Sequence, residues 1–153
     1  MLAGLTIEIA GTAEDSFQDV FGLLLGLHRE GGYAHLNRAK AEACCRATLA
    51  EGMVLLARGL ERKPIGTLGL TEMVFWYADR TYLQDAWFFV SPEFRRDRVG
   101  VALLNAAKPI AQQRNALLFV TQNNPDRRAK ATPMTVESQL AGYVPLGYTL
   151  KVS

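Results

Sequence analysis

The sequence predicts an α+β domain: helices first, a meander of strands, one strand–helix–strand crossover and a closing strand. Three observations carry this expectation. Phe17, Val20, Phe21, Leu24 and Leu27 recur at helical spacing. From residue 53 onward that period gives way to short apolar or alternating runs separated by glycine- and charge-rich turns. An almost wholly apolar run at residues 86–90 is then followed by a loop, an amphipathic helix and a second apolar run at residues 116–121, the pattern of a parallel crossover. With 153 residues, 49% of them apolar and 21% charged, the chain is expected to form one domain over residues 1–153 and is too apolar for disorder.

In order, residues 5–10 (LTIEIA) alternate as a first strand. Thr12, with Asp15 three residues on, resembles a capping box for the first helix, which Gly31-Gly32 ends. Asn37 caps a second helix that runs to about Ala50. Residues 53–57 (MVLLA) form a short strand, and Gly59 with Glu61-Arg62-Lys63 a turn. Residues 64–77 form a long strand weakened by Gly66 and Gly69. Ala78-Asp79-Arg80 turns the chain into residues 81–90, whose apolar end marks a central strand. The following helix buries Val99, Leu103, Ala106, Ala107 and Ile110, and Pro109 inside it is expected to kink or interrupt it. Residues 116–121 (ALLFVT) form the parallel partner strand, residues 136–142 a helix and residues 147–152 (GYTLKV) a last strand.

Composition excludes several classes. No apolar run is long enough for a membrane span, and acids at Glu8, Glu14 and Asp15 come too early for a signal peptide. The two cysteines, Cys44 and Cys45, are adjacent and cannot staple distant segments or build a zinc site. They read as two thiols on one helix, at least one buried, in a reducing, cytoplasmic setting. His28 and His35 lack companions for a metal site. Formal net charge is only +2, but it is unevenly spread. Between residues 91 and 130 stand eight bases, Arg95, Arg96, Arg98, Lys108, Arg114, Arg127, Arg128 and Lys130, against three acids, Glu93, Asp97 and Asp126. That block carries +5 and the remainder −3.

The block opens where an apolar strand meets a helix. First-turn amides of a helix lack internal partners and carry partial positive charge, so the junction is an anion site with Arg95, Arg96 or Arg98 as countercharge. A solvated basic turn is the plainer alternative. The wording is more specific. VSPEFRRDRVGVALL, residues 90–104, resembles motif A of the GNAT superfamily of acetyl-CoA-dependent acyltransferases, V-x-P-E-[YF]-R-[GR]-x-G-[IV]-G-x-x-L-L. Tyr143-Val144-Pro145-Leu146-Gly147-Tyr148 is similar to the family's C-terminal Y-x-x-L-G-[FY] motif. Phe75-Trp76-Tyr77 and the Arg95-Arg96 pair resemble small members found in bacteriophage genomes.

This resemblance implies a GNAT fold: a mixed twisted sheet of six to seven strands flanked by about four helices. It implies acetyl-CoA in a V-shaped cleft between the fourth and fifth strands, against Phe88, Phe89 and Val90. Amides of Arg95, Arg96, Asp97, Arg98, Val99, Gly100 and Val101 would hold the pyrophosphate. Tyr143 is the candidate acid for the departing thiolate, and Asp85 or Glu72 the candidate base for an amine acceptor; solvated strand carboxylates are the plain alternative. Asn123 and Asn124 either bond the pantetheine or acceptor or are ordinary turn asparagines. Arg127, with Arg128 and Lys130, either meets the 3′-phosphate of coenzyme A or forms a solvated basic face. Arg98 departs from the family, standing at its first glycine, where its β-carbon narrows the pocket or its guanidinium itself contacts phosphate. The expected function is N-acetyl transfer to a small-molecule or peptide amine, in a chain that can homodimerise through its C-terminal strands. A non-catalytic coenzyme A-binding scaffold is the alternative, and a basic nucleic-acid-binding domain a weaker one, since the block has no aromatic stacking ladder.

Overall fold

A computed structural model describes residues 2–121 and 141–144. Their order is β1 (Thr6–Ile9), α1 (Glu14–Gly31), α2 (Arg38–Ala50), β2 (Val54–Arg58), β3 (Pro64–Val74), β4 (Thr81–Val90), α3 (Val99–Gln113) and β5 (Leu117–Phe119), with 3-10 turns at Leu60–Arg62 and Pro92–Phe94. The expected succession of elements is present as far as β5. The described residues hold five strands and three α-helices, fewer than the six to seven and four expected. The expected strand at residues 147–152 and most of the helix at 136–142 lie outside them.

The sheet runs in sequence order, antiparallel from β1 through β4, with β5 added parallel to β4. Strand alternation sorts the apolar side chains to two faces. Leu68, Leu70, Leu83, Phe88 and Val90 pack with Val99, Leu103, Leu104 and Ile110 of α3. Leu56, Trp87 and Phe89 pack on the other face with Phe17, Val20, Phe21 and Leu49 of α1 and α2. The Trp87 indole N–H donates to Thr67 Oγ1 (3.1 Å), and that hydroxyl donates to the Leu55 carbonyl (2.9 Å), so the polar groups buried under the helices are satisfied.

Several local expectations are revised. Asn37 caps α2 as expected, its Oδ1 accepting from the Lys40 N–H at 3.0 Å. Thr12 does not cap α1: the N-cap is Ala13, without a side-chain bond, and Glu14 and Asp15 serve the first turn by charge alone. Gly69 does not merely weaken β3. A β-carbon there would fall 2.4–2.8 Å from the Trp87 indole, so glycine is what admits the ring. Helix α3 continues through Pro109, although the proline leaves the Asn105 carbonyl without its i+4 donor. Cys45 is buried, its thiol pushed up to about 11 by burial, and Cys44 is exposed.

Candidate functional site

The site grows from the end of β4. Register with β3 steps from Gly69↔Trp87 to Leu70↔Asp85, which leaves Ala86 as an extra residue on β4. Beyond this bulge, the Ser91 N–H bonds the Ile65 carbonyl (2.9 Å), one residue outside the Gly66↔Val90 pair. In an antiparallel ladder that pattern turns the N–H and C=O groups of Val90 and Phe88 away from β3 and toward the β5 side. The ladder with β5 covers only Tyr82↔Leu117 to Gln84↔Phe119. Past Gln84 the two parallel strands part, and the amides of Phe88 and Val90 face the opening. Their side chains are buried, so they offer backbone only. The backbone of Phe89 is turned toward β3 and its ring packs under α1, so of the three β4 residues expected there, Phe89 does not face the cleft.

Asp85 stands where the strands part. Its carboxylate accepts the Thr121 N–H at 2.6 Å, just after β5. Burial pushes its pKa up, and the Thr121 amide opposes the shift. Glu72 lies elsewhere: its exposed carboxylate faces Arg114, just past the end of α3, at 3.5 Å. The structure thus separates the two carboxylate candidates, placing only Asp85 at the mouth of the cleft.

The loop beyond β4 is built by short-range bonds. Phe94, Arg95 and Asp97 donate their N–H groups to Ser91, Pro92 and Phe94 carbonyls. Arg95 and Asp97 amides are therefore spent inside the turn, contrary to expectation for a phosphate cradle. Helix α3 starts at Val99 and its first crossing bond is Ala102 N–H to the Arg98 carbonyl (3.2 Å). Among the described residues, the N–H groups of Arg96, Arg98, Val99, Gly100 and Val101 take no acceptor. Arg98 is the N-cap and has φ 60°, ψ 26°, the left-handed conformation that explains glycine at this place in motif A. Its side chain is exposed, as is that of Arg96, and neither is in an ion pair among the described residues.

Arg95 behaves differently. Its Nε donates to the Val90 carbonyl (2.9 Å) and its Nη2 to Glu30 Oε2 on α1 (2.6 Å). Its countercharge is already engaged, and Glu30 is a residue that motif reading missed. Tyr143 packs against the α3-side core, donates its hydroxyl to the Leu104 carbonyl (2.9 Å) and lies 5.7 Å from Lys108 Nζ. Burial pushes its pKa up to about 12, so the hydroxyl keeps its proton at neutral pH. Asn123, Asn124, Arg127, Arg128 and Lys130 lie outside the described residues. On the α1–α2 connection, His28, Tyr33, His35 and Leu36 line a cavity of about 370 Å³.

These residues fit a phosphate-bearing ligand that also runs along a strand edge: five acceptor-free amides and two exposed guanidinium groups at a helix start, beside an opened β4 edge. The sequence model of the Acetyltransferase (GNAT) family matches residues 19–131. No curated protein matches the chain. Among solved structures, the chain is similar to an aminoglycoside acetyltransferase from an uncultured soil metagenomic sample, in complex with sisomicin (17% identity, 96% of this chain and 97% of that chain, TM-score 0.66). It is similar to a ribosomal-protein-alanine N-acetyltransferase of Brucella melitensis (14%, 98% and 100%, TM-score 0.64). It is also similar to a predicted acetyltransferase of Clostridium acetobutylicum solved with acetyl-CoA (13%, 97% and 96%, TM-score 0.70). Those identities speak for the fold; the family match extends over most of the chain and includes the loop and the start of α3. The chain belongs to the GNAT acetyltransferase family.

Proposed function

We propose that the protein transfers an acetyl group from acetyl-CoA to an amine. The observation that carries this reading is the set of acceptor-free amides at the start of α3, next to the β4 edge left open by β5. Arg96, Arg98, Val99, Gly100 and Val101 would bind the pyrophosphate through backbone N–H groups, with the Arg96 and Arg98 guanidinium groups as countercharge. The left-handed Arg98 keeps the turn that glycine usually makes, so the departure from motif A preserves the loop. Phe88 would pair its free backbone groups with the amide chain of the pantetheine, and the Val90 N–H would donate to the acyl oxygen. Acetyl-CoA supplies an acyl group already activated as a thioester. Asp85, raised in pKa by burial, would take the proton of the amine directly or through water. Tyr143, which keeps its proton, would give it to sulfur after leaving the Leu104 carbonyl.

Two of the similar structures acetylate different acceptors by name, an aminoglycoside and a ribosomal-protein alanine. The fold therefore tolerates either, and acceptor choice falls to segments such as the first two helices and the Phe75–Tyr82 hairpin; the α1–α2 connection carries a cavity of about 370 Å³. Phe75-Trp76-Tyr77 and Arg95-Arg96 support a place among the phage-type members. Calorimetry with acetyl-CoA tests the site. Micromolar binding is expected, lost when Arg96 and Arg98 are both changed to Glu; unchanged affinity in that variant removes the loop from the site. Turnover over a panel of aminoglycosides, amino acids and peptides then distinguishes the enzyme from a coenzyme-binding scaffold.

A further inference from the structure

We infer that Glu30 is a positioning residue for coenzyme binding: through Arg95 it braces the loop whose free amides face the phosphates. The inference rests on the acetyl-CoA reading and deepens it.

Glu30 is locally out of place. It sits in the last turn of α1, where the helix dipole favours the neighbouring bases His28 and Arg29 and disfavours an acid. What holds it there is tertiary. Helix α1 runs close to the end of β4, where a β-carbon at Gly26 would fall 3.1–3.2 Å from the Phe89 ring. Glu30, one turn further along the same face, is thereby delivered to Arg95, 65 residues away in sequence. The Arg95 guanidinium gathers three partners. Its Nη2 bonds Glu30 at 2.6 Å, its Nε bonds the Val90 carbonyl at 2.9 Å, and it lies 5.7 Å over the Phe89 ring. The two charged side chains are 20% and 26% exposed, Glu30 standing at the solvent-facing end of the bridge. A cavity of about 350 Å³ opens beside it, bounded by Gly22 and Gly26 of α1 and by Phe89, Ser91 and Pro92. The bridge spans this cavity from helix to loop.

Charge and brace predict opposite signs. As a mere neighbouring charge, Glu30 repels a polyanion, and its removal tightens binding. As a brace, its removal loosens the loop and weakens binding. Glu30→Lys is the sharpest variant: it reverses the charge, repels Arg95, and suits a helix C-terminus, so the fold survives it. Calorimetry with coenzyme A should show about tenfold weaker binding for Glu30→Lys and Glu30→Ala, while Glu30→Gln, which keeps the acceptor oxygen, stays within about twofold of wild type. Glu30→Ala should add nothing to Arg95→Ala in a double-mutant cycle. In turnover, KM for acetyl-CoA should rise with kcat unchanged. Equal or tighter binding by Glu30→Lys, or additive losses in the cycle, overturns the brace. A wild type that binds no coenzyme A overturns the acetyl-CoA reading instead. The two failures are told apart by amide hydrogen exchange of the ligand-free protein at Phe94, Arg95, Asp97 and Ala102, whose N–H groups are bonded within the loop and the first turn of α3. Glu30→Ala should speed it relative to the middle of α3, and an unchanged rate removes the brace whatever binds.

Discussion

Arg98 holds a left-handed φ of 60° without a side-chain cap, a conformation that disfavours a residue with a β-carbon. Arg98→Gly should therefore stabilise the protein, by about 0.5–1 kcal/mol after glycine's larger unfolded-state entropy is subtracted. Urea denaturation reads this as a raised midpoint at constant slope, and a lowered midpoint contradicts it. In the proposed site the Arg98 guanidinium supplies countercharge to phosphate, so the same variant should bind acetyl-CoA more weakly. The motif marked position 98 as a departure, but only the backbone angle shows why glycine belongs there. Asp85 is a second case. The sequence offered it and Glu72 as candidate bases; the structure sets Asp85 beside the Thr121 amide and leaves Glu72 exposed opposite Arg114. A base whose pKa is raised is protonated over a wider acid range, so kcat/KM should fall as pH drops through the raised value. Asp85→Asn keeps an oxygen for Thr121 but cannot take a proton. It should lower kcat by about 10²–10⁴-fold and abolish that acid limb. A wild-type pH profile in Asp85→Asn would leave Asp85 only a clamp on β5.

Among elements, the joint between β1, α1 and β2 depends on one nearly buried cation. Arg58 is 8% exposed; it bonds Glu8 on β1, Asp19 on α1 (2.8 Å) and the Arg62 carbonyl (3.0 Å). Arg58→Ala strands Asp19 and leaves Glu8 only Arg62 (3.2 Å), and should cost about 2–3 kcal/mol, somewhat less than a fully buried pair because both partners are about a third exposed. The Glu8 pKa is held below its ordinary 4.5 chiefly by the hydrogen bond from Arg58. A depressed folded pKa means that the unfolded chain binds protons first, so this stabilisation is whole above pH 4.5 and disappears as pH falls through the folded value. Denaturation midpoints should fall from pH 6 to pH 3, and Glu8→Gln should flatten the decline; an equally steep decline in that variant assigns the acid sensitivity elsewhere. Element boundaries were legible to different degrees. β4 spans the expected residues 81–90, because an apolar run bounded by a turn and Pro92 leaves little choice. β5 was expected over residues 116–121 and pairs only over Leu117–Phe119. Its apolar letters continue, but the strands diverge and the Thr121 amide goes to Asp85, a partner 36 residues away.

At the scale of the whole molecule, the +5 block opens at the start of α3, where the proposed phosphate site lies, with −3 spread over the rest. Ligand binding to the folded state alone raises its stability. Acetyl-CoA at about 100 times its Kd should add about 2.7 kcal/mol, a melting shift of roughly 5–10 °C for a chain of this size. Differential scanning fluorimetry checks it, and the shift should shrink with added salt because the contacts are to phosphate. Absence of any shift contradicts the acetyl-CoA reading. What the sequence by itself determined is the order of elements from β1 to β5, the strand–loop–helix at residues 86–113 and the family to which it belongs. These are encoded within ten or twenty consecutive residues, where hydrophobic period, turn chemistry and a glycine or its absence act locally. Only the tertiary structure decided which loop amides remain free, that Phe89 faces away from the cleft, that Asp85 rather than Glu72 stands at its mouth, and that Glu30 reaches Arg95. Each of these depends on how a helix or strand packs against a distant partner, and that packing leaves no periodic trace in the chain.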